Sequence, residues 1–537
     1  IYLLINIMDL DNLISHIPLI GLYAELHYRF PFIKSRYYIE EPEIITDIPF
    51  RIEPGQDLPI LLLIKESNKF PIIINNISIS FYKQSNESNK TTIIKKINKT
   101  IDSYLWYENI KLQLDIKGNY NFEILISYSI NNKYKECLNN NVPILKDKAH
   151  KVYFSNYKLP KKSGYLYGDL HYHSILTDDM VEFGAPLDTT AIVAESIGLD
   201  FVCNTDHSYD LDIKEESWFE KDSDLIKWNK SRSDIDTIND LYKSKIVPSE
   251  EVTIHNSKKR NIHALALNNR SFLEGQGDGA RKYFDRSCKY DTTTIHQHKE
   301  EQSAIIAAHP FVKTSFLEWL FIKRGKWEWN DIINKDLSGL QILNGSYNYG
   351  FYKGLEIWIK LLLNGYKKFI YAGNDAHGNF NKYRQIKIPM ITLKEKNEQI
   401  LGEFRTGVFT KKKIYDIVQS LRKGYCFITN GPFIEIKITD NNNNEYISGE
   451  HTQSKINTIE LNIDSTKEFG QISIAKIFIG SLITKSENIL EKFNNLDCYS
   501  ITKKIRIKDI EKSYIRAECN IDSKKTIKAF TNPIWIR

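Results

Sequence analysis

The chain has few of the features that fix a compartment or a partner directly. Its 537 residues hold six cysteines, at 137, 203, 288, 426, 498 and 519, and none forms a C-x-x-C pair. No disulfide framework is indicated, and a reducing compartment is expected. Cys203 sits inside an apolar run and reads as a buried thiol. No uninterrupted apolar run reaches the length of a membrane span, so no membrane partner is expected. The opening "IYLLINIMDLDNLI" lacks a basic n-region and is interrupted by Asp9 and Asp11. A signal peptide is therefore not expected, and the cytoplasm is the expected compartment. An excess of one charge is also missing. The net charge of +6 is mild for this length. The runs "IKKINK" (94–99) and "KKK" (411–413) are isolated and read as solvated faces. Without a concentrated basic stripe, no nucleic-acid partner is expected.

What remains is a globular composition, 42% hydrophobic and 26% charged, in a chain long enough for about two to four domains. Asn-rich tracts such as "NNNN" (441–444) reflect a compositional bias and carry little functional weight. In residues 1–160, "LPILLLIKE", "FPIIINNISISFY" and "NFEILISYSI" alternate with a period near two between turn-forming clusters, as in a β-sandwich. In residues 161–430 the pattern changes. The runs "YLYGDLHYH", "LDFVCNTDH", "SAIIAAHP", "LSGLQILNG" and "FIYAGNDAH" read as buried strands, with helix-like stretches at Pro186 to Gly198 and Tyr352 to Asn364. Strand followed by helix, repeated, predicts a parallel α/β arrangement. Residues 431–537 return to β patterning in "FIEIKITD", "TIELNID" and "ISIAKIFIGSL", predicting a second, smaller β domain.

In the middle segment the polar residues gather where strands end. His171 and His173 close the first run, Asp206 and His207 the second, His309 the third, and Asp375 and His377 a later one. In a barrel of parallel strands all such ends open on one face, where chemistry is built. Residues two apart on a strand point the same way, so His171 pairs with His173 and Asp375 with His377. Buried carboxylates and imidazoles cost several kcal/mol unless compensated, and bound cations are the natural compensation. The stretch "SEEVTIHNSKKRNIHALALN" reads as a hairpin folded near Ser257, with Glu251 opposite His263 and Thr253 on the same face as Glu251. The resulting set is His171, His173, Asp178, His207, Glu251, His263, His309, Asp375 and His377. Imidazole and carboxylate without thiolate suits Zn, Mn or Fe(II), and so many donors imply two to three divalent ions.

Five stretches, "DLHYHSILTDD", "GLDFVCNTDH", "EEVT…HALAL", "AAHP" and "GNDAH", resemble the successive metal motifs of the PHP (polymerase and histidinol phosphatase) metallohydrolases. The flanks "GNDAHGNFNKYRQIKIP" and "LRKGYCFITNGPF" resemble the carbaryl-hydrolase-like branch. The resemblance covers residues 165–435 strongly and the flanks loosely. It implies a distorted (β/α)7 barrel, α/β in class, between the two β domains, with a trinuclear cluster and hydrolase activity. It places the nine residues above on the family's ligand slots. The family's Ser-Asp-Gly is here Thr177-Asp178-Asp179; family spacing favours Asp178, with Asp179 a competitor. Glu251 is favoured over Glu250 because it directly precedes the Val-Thr pair.

A phosphoester would need positive groups at the mouth, and His255, Arg281, Lys282 and Arg384 are candidates. Glu251, Asp375, His377 and Arg384 form the expected catalytic set. "GQGDG" (275–279) lacks P-loop context and reads as a flexible lip, and the charged stretch Lys214 to Lys245 reads as an insertion over the mouth, either shaping substrate choice or simply packing on the surface. The expected activity is hydrolysis of a small-molecule substrate, a phosphoester first and a carbamate, ester or amide second. A glycan- or protein-binding chain with a non-catalytic barrel is a further alternative. The sequence leaves the oligomeric state open.

Overall fold

The computed structural model describes residues 41–141, 149–177, 184–214, 220–277, 286–314, 316–381, 385–388, 391–394, 399–410, 414–507, 510–523 and 526–537. Strand dominates, at 47% against 15% helix.

The first segment packs two sheets face to face. Glu43–Asp47, Leu58–Lys65 and Leu105–Leu112 form one; Ile72–Lys83, Asn86–Ile101, Gly118–Ile130 and His150–Phe154 run through the other. Ile60, Leu62 and Ile64 meet Ile77, Ile79, Phe122, Ile124 and Ile126 in the shared core. A bulge between Ile74 and Asn76 shifts the alternation by one, which is why Ile74 and Ile77 are both buried. Leu58–Lys65 is buried on both faces because Leu61 and Leu63 belong to a second core shared with the helix Leu187–Ile197. Pro186 precedes that helix, and Gly198 closes it at φ 91°, its N–H returning to Ala194 and Glu195. A side chain at Gly198 would also collide with the Glu53 carboxylate.

The expected (β/α)7 barrel is not what the middle segment forms. Its strands belong to one large curled sheet that runs on into the C-terminal segment. Tyr165–His173, Phe201–Asn204 and Lys245–His255 pair in parallel, and so do Ala304–Ala307, Gly339–Asn344 and Phe369–Gly373. Between these triplets the hairpin strand Asn261–Leu267 pairs antiparallel on both sides. Hairpins need no crossover helix, so the strand–helix alternation breaks there. Long crossover helices occur at Leu187–Ile197, Ile226–Leu241 and Tyr349–Leu363, and eight helices of any length occur among the described residues. Ile226–Leu241 falls in the stretch expected to overhang the mouth. It buries Trp228, Ile235 and Ile238 and packs on Lys245–His255. The other edge continues antiparallel through Arg405–Phe409 and Cys426–Thr429 to Lys528–Thr531.

Pairing of Ile428 with Phe530 carries the sheet across the boundary expected at 430. Beyond it, Phe433–Asp440, Ile456–Asp464 and Ser500–Arg506 form a sheet that packs on Gln471–Ser481 and Ser513–Asp522 through Ile434, Ile436, Leu461, Ile477 and Ala517.

One buried side chain ties the three segments together. The Arg51 guanidinium donates to Glu468 through Nε at 2.6 Å and Nη2 at 2.9 Å, and to Glu53 at 2.8 Å. It also donates to the carbonyls of Ile197 at 2.9 Å and Tyr157 at 3.0 Å. A buried guanidinium is tolerable only when its donors are met in this way.

Candidate metal centre

All nine residues of Tyr165–His173 are buried; the register shifts between Asp169 and Tyr172, and beyond Asp169 the two-residue spacing puts His171 and His173 on one face. Asp169 accepts hydrogen bonds from the backbone N–H groups of Asn374 at 3.0 Å and Gly402 at 3.0 Å, and from Asn374 Nδ2 at 2.7 Å. Burial raises its carboxyl to about 6. It thereby latches the first strand to the backbone entering Asp375. The curl of the sheet completes the approach: Ala376–His377 pairs in parallel with the first strand, His377 beside His173. Asp375 at φ 54° and His309 at φ 28° lie in the left-handed region. Such strain, on the order of 1–3 kcal/mol per residue, persists where the surroundings fix it and is frequent at functional sites.

The hairpin's register differs from the expected one. Thr253, not Glu251, faces His263, and Glu251 faces Leu265. The turn lies one residue later than the apolar pattern suggested, with Asn256 N–H bonded to the Arg260 carbonyl at 2.8 Å. Glu251 and His263 remain on one face as diagonal neighbours, within reach of long side chains. His263 Nδ1 lies 2.8 Å from Glu251 Oε1.

Glu251 is the hub. Its Oε1 lies 3.1 Å from His309 Nε2, and its Oε2 lies 3.1 Å from His207 Nδ1 and 3.4 Å from both His171 Nε2 and His173 Nε2. Asp375 Oδ1 sits 3.1 Å from His171 Nε2 and 3.2 Å from His173 Nε2. The His377 ring stacks on His173 with centroids 4.1 Å apart. Three overlapping donor groups result: His173, His207 and His377; His171, His173, Glu251 and Asp375; and Glu251, His263 and His309. Within each group the donor atoms lie within 4.8 Å of one another. These clusters could bind metal, and the donor chemistry fits divalent Zn, Mn or Fe, with imidazole and carboxylate but no thiolate.

The electrostatics match. Burial opposes charge on Glu251, yet His263 and His171 hold its carboxyl well below the usual range. Asp375 is only partly buried; desolvation opposes its charge too, yet it is held low by His171 and His173. Burial depresses the His171 imidazole, but Asp375 and Glu251 carry it up to about 10. His207, partly buried, is depressed by desolvation but carried to about 9 by Glu251. His173 goes the other way, lowered by burial and by the neighbouring His377 and His207. Acid groups that hold imidazoles protonated in this way mark a site that favours positive charge.

Of the residues singled out in sequence, His171, His173, His207, Glu251, His263, His309, Asp375 and His377 converge here. Asp178, its competitor Asp179, Arg281, Lys282 and Arg384 lie outside the described residues. Glu250 faces away, accepting from Asn269 Nδ2 at 2.8 Å and Ser208 Oγ at 3.2 Å and lying 3.4 Å from Arg232. His255 is not at the cluster either: at the hairpin's far end, its Nε2 accepts from the Cys288 N–H at 3.1 Å. Sequence reasoning missed the orienting groups. Gln341 Oε1 lies 2.9 Å from His171 Nδ1, Thr177 Oγ1 lies 3.3 Å from His173 Nδ1, and Asn344 and Gln399 donate to Asp375 Oδ2 at 3.2 and 3.1 Å. A glutamine amid the buried strand Gly339–Asn344 was the available signal. Arg324 contacts His263 Nε2 from a Lys/Arg-rich loop, where nothing in the spacing distinguishes it.

No family model matches the chain, and no curated protein matches it. Among solved structures, the chain is similar to a calcium-binding mutant of Bacteroides uniformis beta-glucuronidase 2, at 10% identity and a TM-score of 0.19, covering 92% of this chain and 60% of that one. A Parabacteroides merdae beta-glucuronidase gives 8% identity and a TM-score of 0.19, covering 93% and 65%. The chain thus spans about two thirds or less of the length of these two structures. Likeness at this level carries no argument about activity. Among the described residues no helix is long and apolar enough to cross a membrane.

Proposed function

We propose that the chain is a metal-dependent hydrolase of PHP type, with two to three divalent ions held by the cluster around Glu251 and a small phosphoester as substrate. The observation that carries this reading is the Glu251 carboxylate, buried and set among His171, His173, His207, His263 and His309 at 2.8–3.4 Å. Packing alone does not repay such a concentration of ionisable groups. Divalent ions bound there would supply Lewis-acid charge and a water acidified toward a pKa of ~7. Glu251 and Asp375 offset positive charge, while Gln341 and Thr177 fix the rings of His171 and His173. Arg324, beside His263, places a permanent positive charge next to the cluster, where an anionic substrate would meet it. The order of the donors along the chain also follows the PHP motifs, although the barrel attached to that resemblance is not carried over.

The test is elemental analysis of the purified chain, followed by assay of the metal-loaded protein against phosphoesters, carboxylic esters and carbamates. Two to three Zn, Mn or Fe per chain with phosphoester turnover is the expected result. A folded chain that takes up no metal would overturn the reading. Turnover confined to carbamates or esters would move the substrate class but keep the centre.

A further inference from the structure

A second concavity lies at the other end of the same strands. Leu337 and Ser338, which precede Gly339–Asn344, and Phe369, which opens Phe369–Gly373, form part of its wall. Those strands lead away from it to Asn344 and Asp375, so it is separated from the Glu251 cluster by roughly 15 Å or more of strand. Its volume is about 550 Å³, within the range of small-molecule sites.

Its lining is strongly basic. Lys299, Lys335, Lys367, Arg422 and Lys423 line it against two carboxylates, Asp336 and Glu450. Among the described residues none of the five cations forms an ion pair with a carboxylate. Glu450 is already engaged, accepting from the Ile447 N–H at 2.9 Å. The cations are close enough to disfavour one another: burial and then Arg422 lower Lys299 against the opposing pull of Asp336 and Glu301, and Lys367 lowers His451 against Glu450. Such a gathering of like charge costs stability unless an anion relieves it. Phe369, Tyr425 and Tyr446 add aromatic wall beside the charges, which suits a ligand with an organic body as well as negative groups.

We propose that this cavity is a ligand site for a small organic polyanion of the nucleotide or phosphorylated-metabolite class, separate from the metal centre. The residues converge on a concavity and form no stripe along the surface, which favours a compact ligand over a nucleic-acid backbone. The site does not rest on the metal reading.

The probes are pyrophosphate and ATP, with adenosine as the uncharged control, titrated calorimetrically without added metal. Both the metal-loaded and the chelator-treated chain are tested. Saturable binding of both probes is expected in either preparation, weakening between about 50 and about 300 mM salt as screening grows. Lys335→Glu/Lys423→Glu, at two exposed positions, should weaken both probes by roughly tenfold or more, with metal per chain and thermal midpoint unchanged. Lys367→Glu/Arg422→Glu should do the same. Binding that vanishes on chelation would place the anion on the metal centre and overturn the proposal. So would unchanged affinity in both double variants, or an absence of saturable binding. Tighter binding of an oligonucleotide than of ATP would overturn the commitment to a small ligand.

Discussion

Glu251→Gln keeps the shape of the hub and removes its charge. The carboxylate oxygens lie 2.8 Å from His263 Nδ1 and 3.1 Å from His207 Nδ1 and His309 Nε2, so a cation held by the same imidazoles would feel that charge at comparable range. At about 3 Å and an effective dielectric of about 20, one unit of charge is worth about 5 kcal/mol. That corresponds to a loss in affinity of roughly 10³- to 10⁴-fold per unit of cation charge, and so to at least that much for a divalent ion. The adjacent Glu250→Gln is the control. Glu250 is equally buried but is engaged by Asn269, Ser208 and Arg232, away from the cluster. Its loss should lower stability and leave metal content alone. The assay is metal per chain after equilibration across a buffered metal series, with turnover and a urea midpoint on the same samples. If Glu250→Gln emptied the site and Glu251→Gln did not, the hub would be wrongly assigned.

Gln341→Leu should lower metal affinity by roughly 10- to 100-fold, the usual scale for losing the partner that orients a histidine ligand; equal metal content in competition with a chelator would argue against that role. Lys368 is buried, with its Nζ donating to the carbonyls of Leu337 at 2.6 Å and Asn334, and burial pushes it down to about 8 from an ordinary 10.5. Between these values the unfolded chain keeps a proton that the folded chain has released. Stability relative to Lys368→Met should therefore rise as pH climbs from 8 to 10.5, by on the order of 3 kcal/mol. A flat difference in urea midpoints across that window would count against it.

Much of the site was legible because metal donors sit where strands end. His171, His173, His207, His309, Asp375 and His377 each close or follow an apolar run, and period two assigns their faces without tertiary knowledge. Glu251 and His263 were found through a hairpin whose register was wrong by two residues. The error was harmless because a two-residue slip preserves the face, whereas a one-residue slip would have turned Glu251 away. The fold was less legible. Alternation of strand with helix holds at Leu187–Ile197, Ile226–Leu241 and Tyr349–Leu363, and the hairpin into Asn261–Leu267 was marked by its turn, but the antiparallel pairing of that strand with Ala304–Ala307 leaves no local mark. Nor does any spacing announce that Lys528–Thr531 returns to pair with Cys426–Thr429. Pairing across about 100 residues is a tertiary outcome, since a strand's preference is set by the neighbours it packs against and not by its own residues.

The Arg51 junction sets a timetable for the growing polypeptide. Its carboxylate partner Glu468 lies 417 residues further along. At about 5–20 residues per second, the guanidinium waits roughly 20 to 80 s after leaving the ribosome before that partner exists. Through that interval the first sandwich can close its own isoleucine core, and Arg51 can already meet Glu53 and the carbonyls of Tyr157 and Ile197, but the two donors that end on Glu468 have no carboxylate to meet. A nascent chain stalled anywhere short of Glu468 therefore leaves the Nε of Arg51 without its carboxylate partner, in a junction otherwise ready to form.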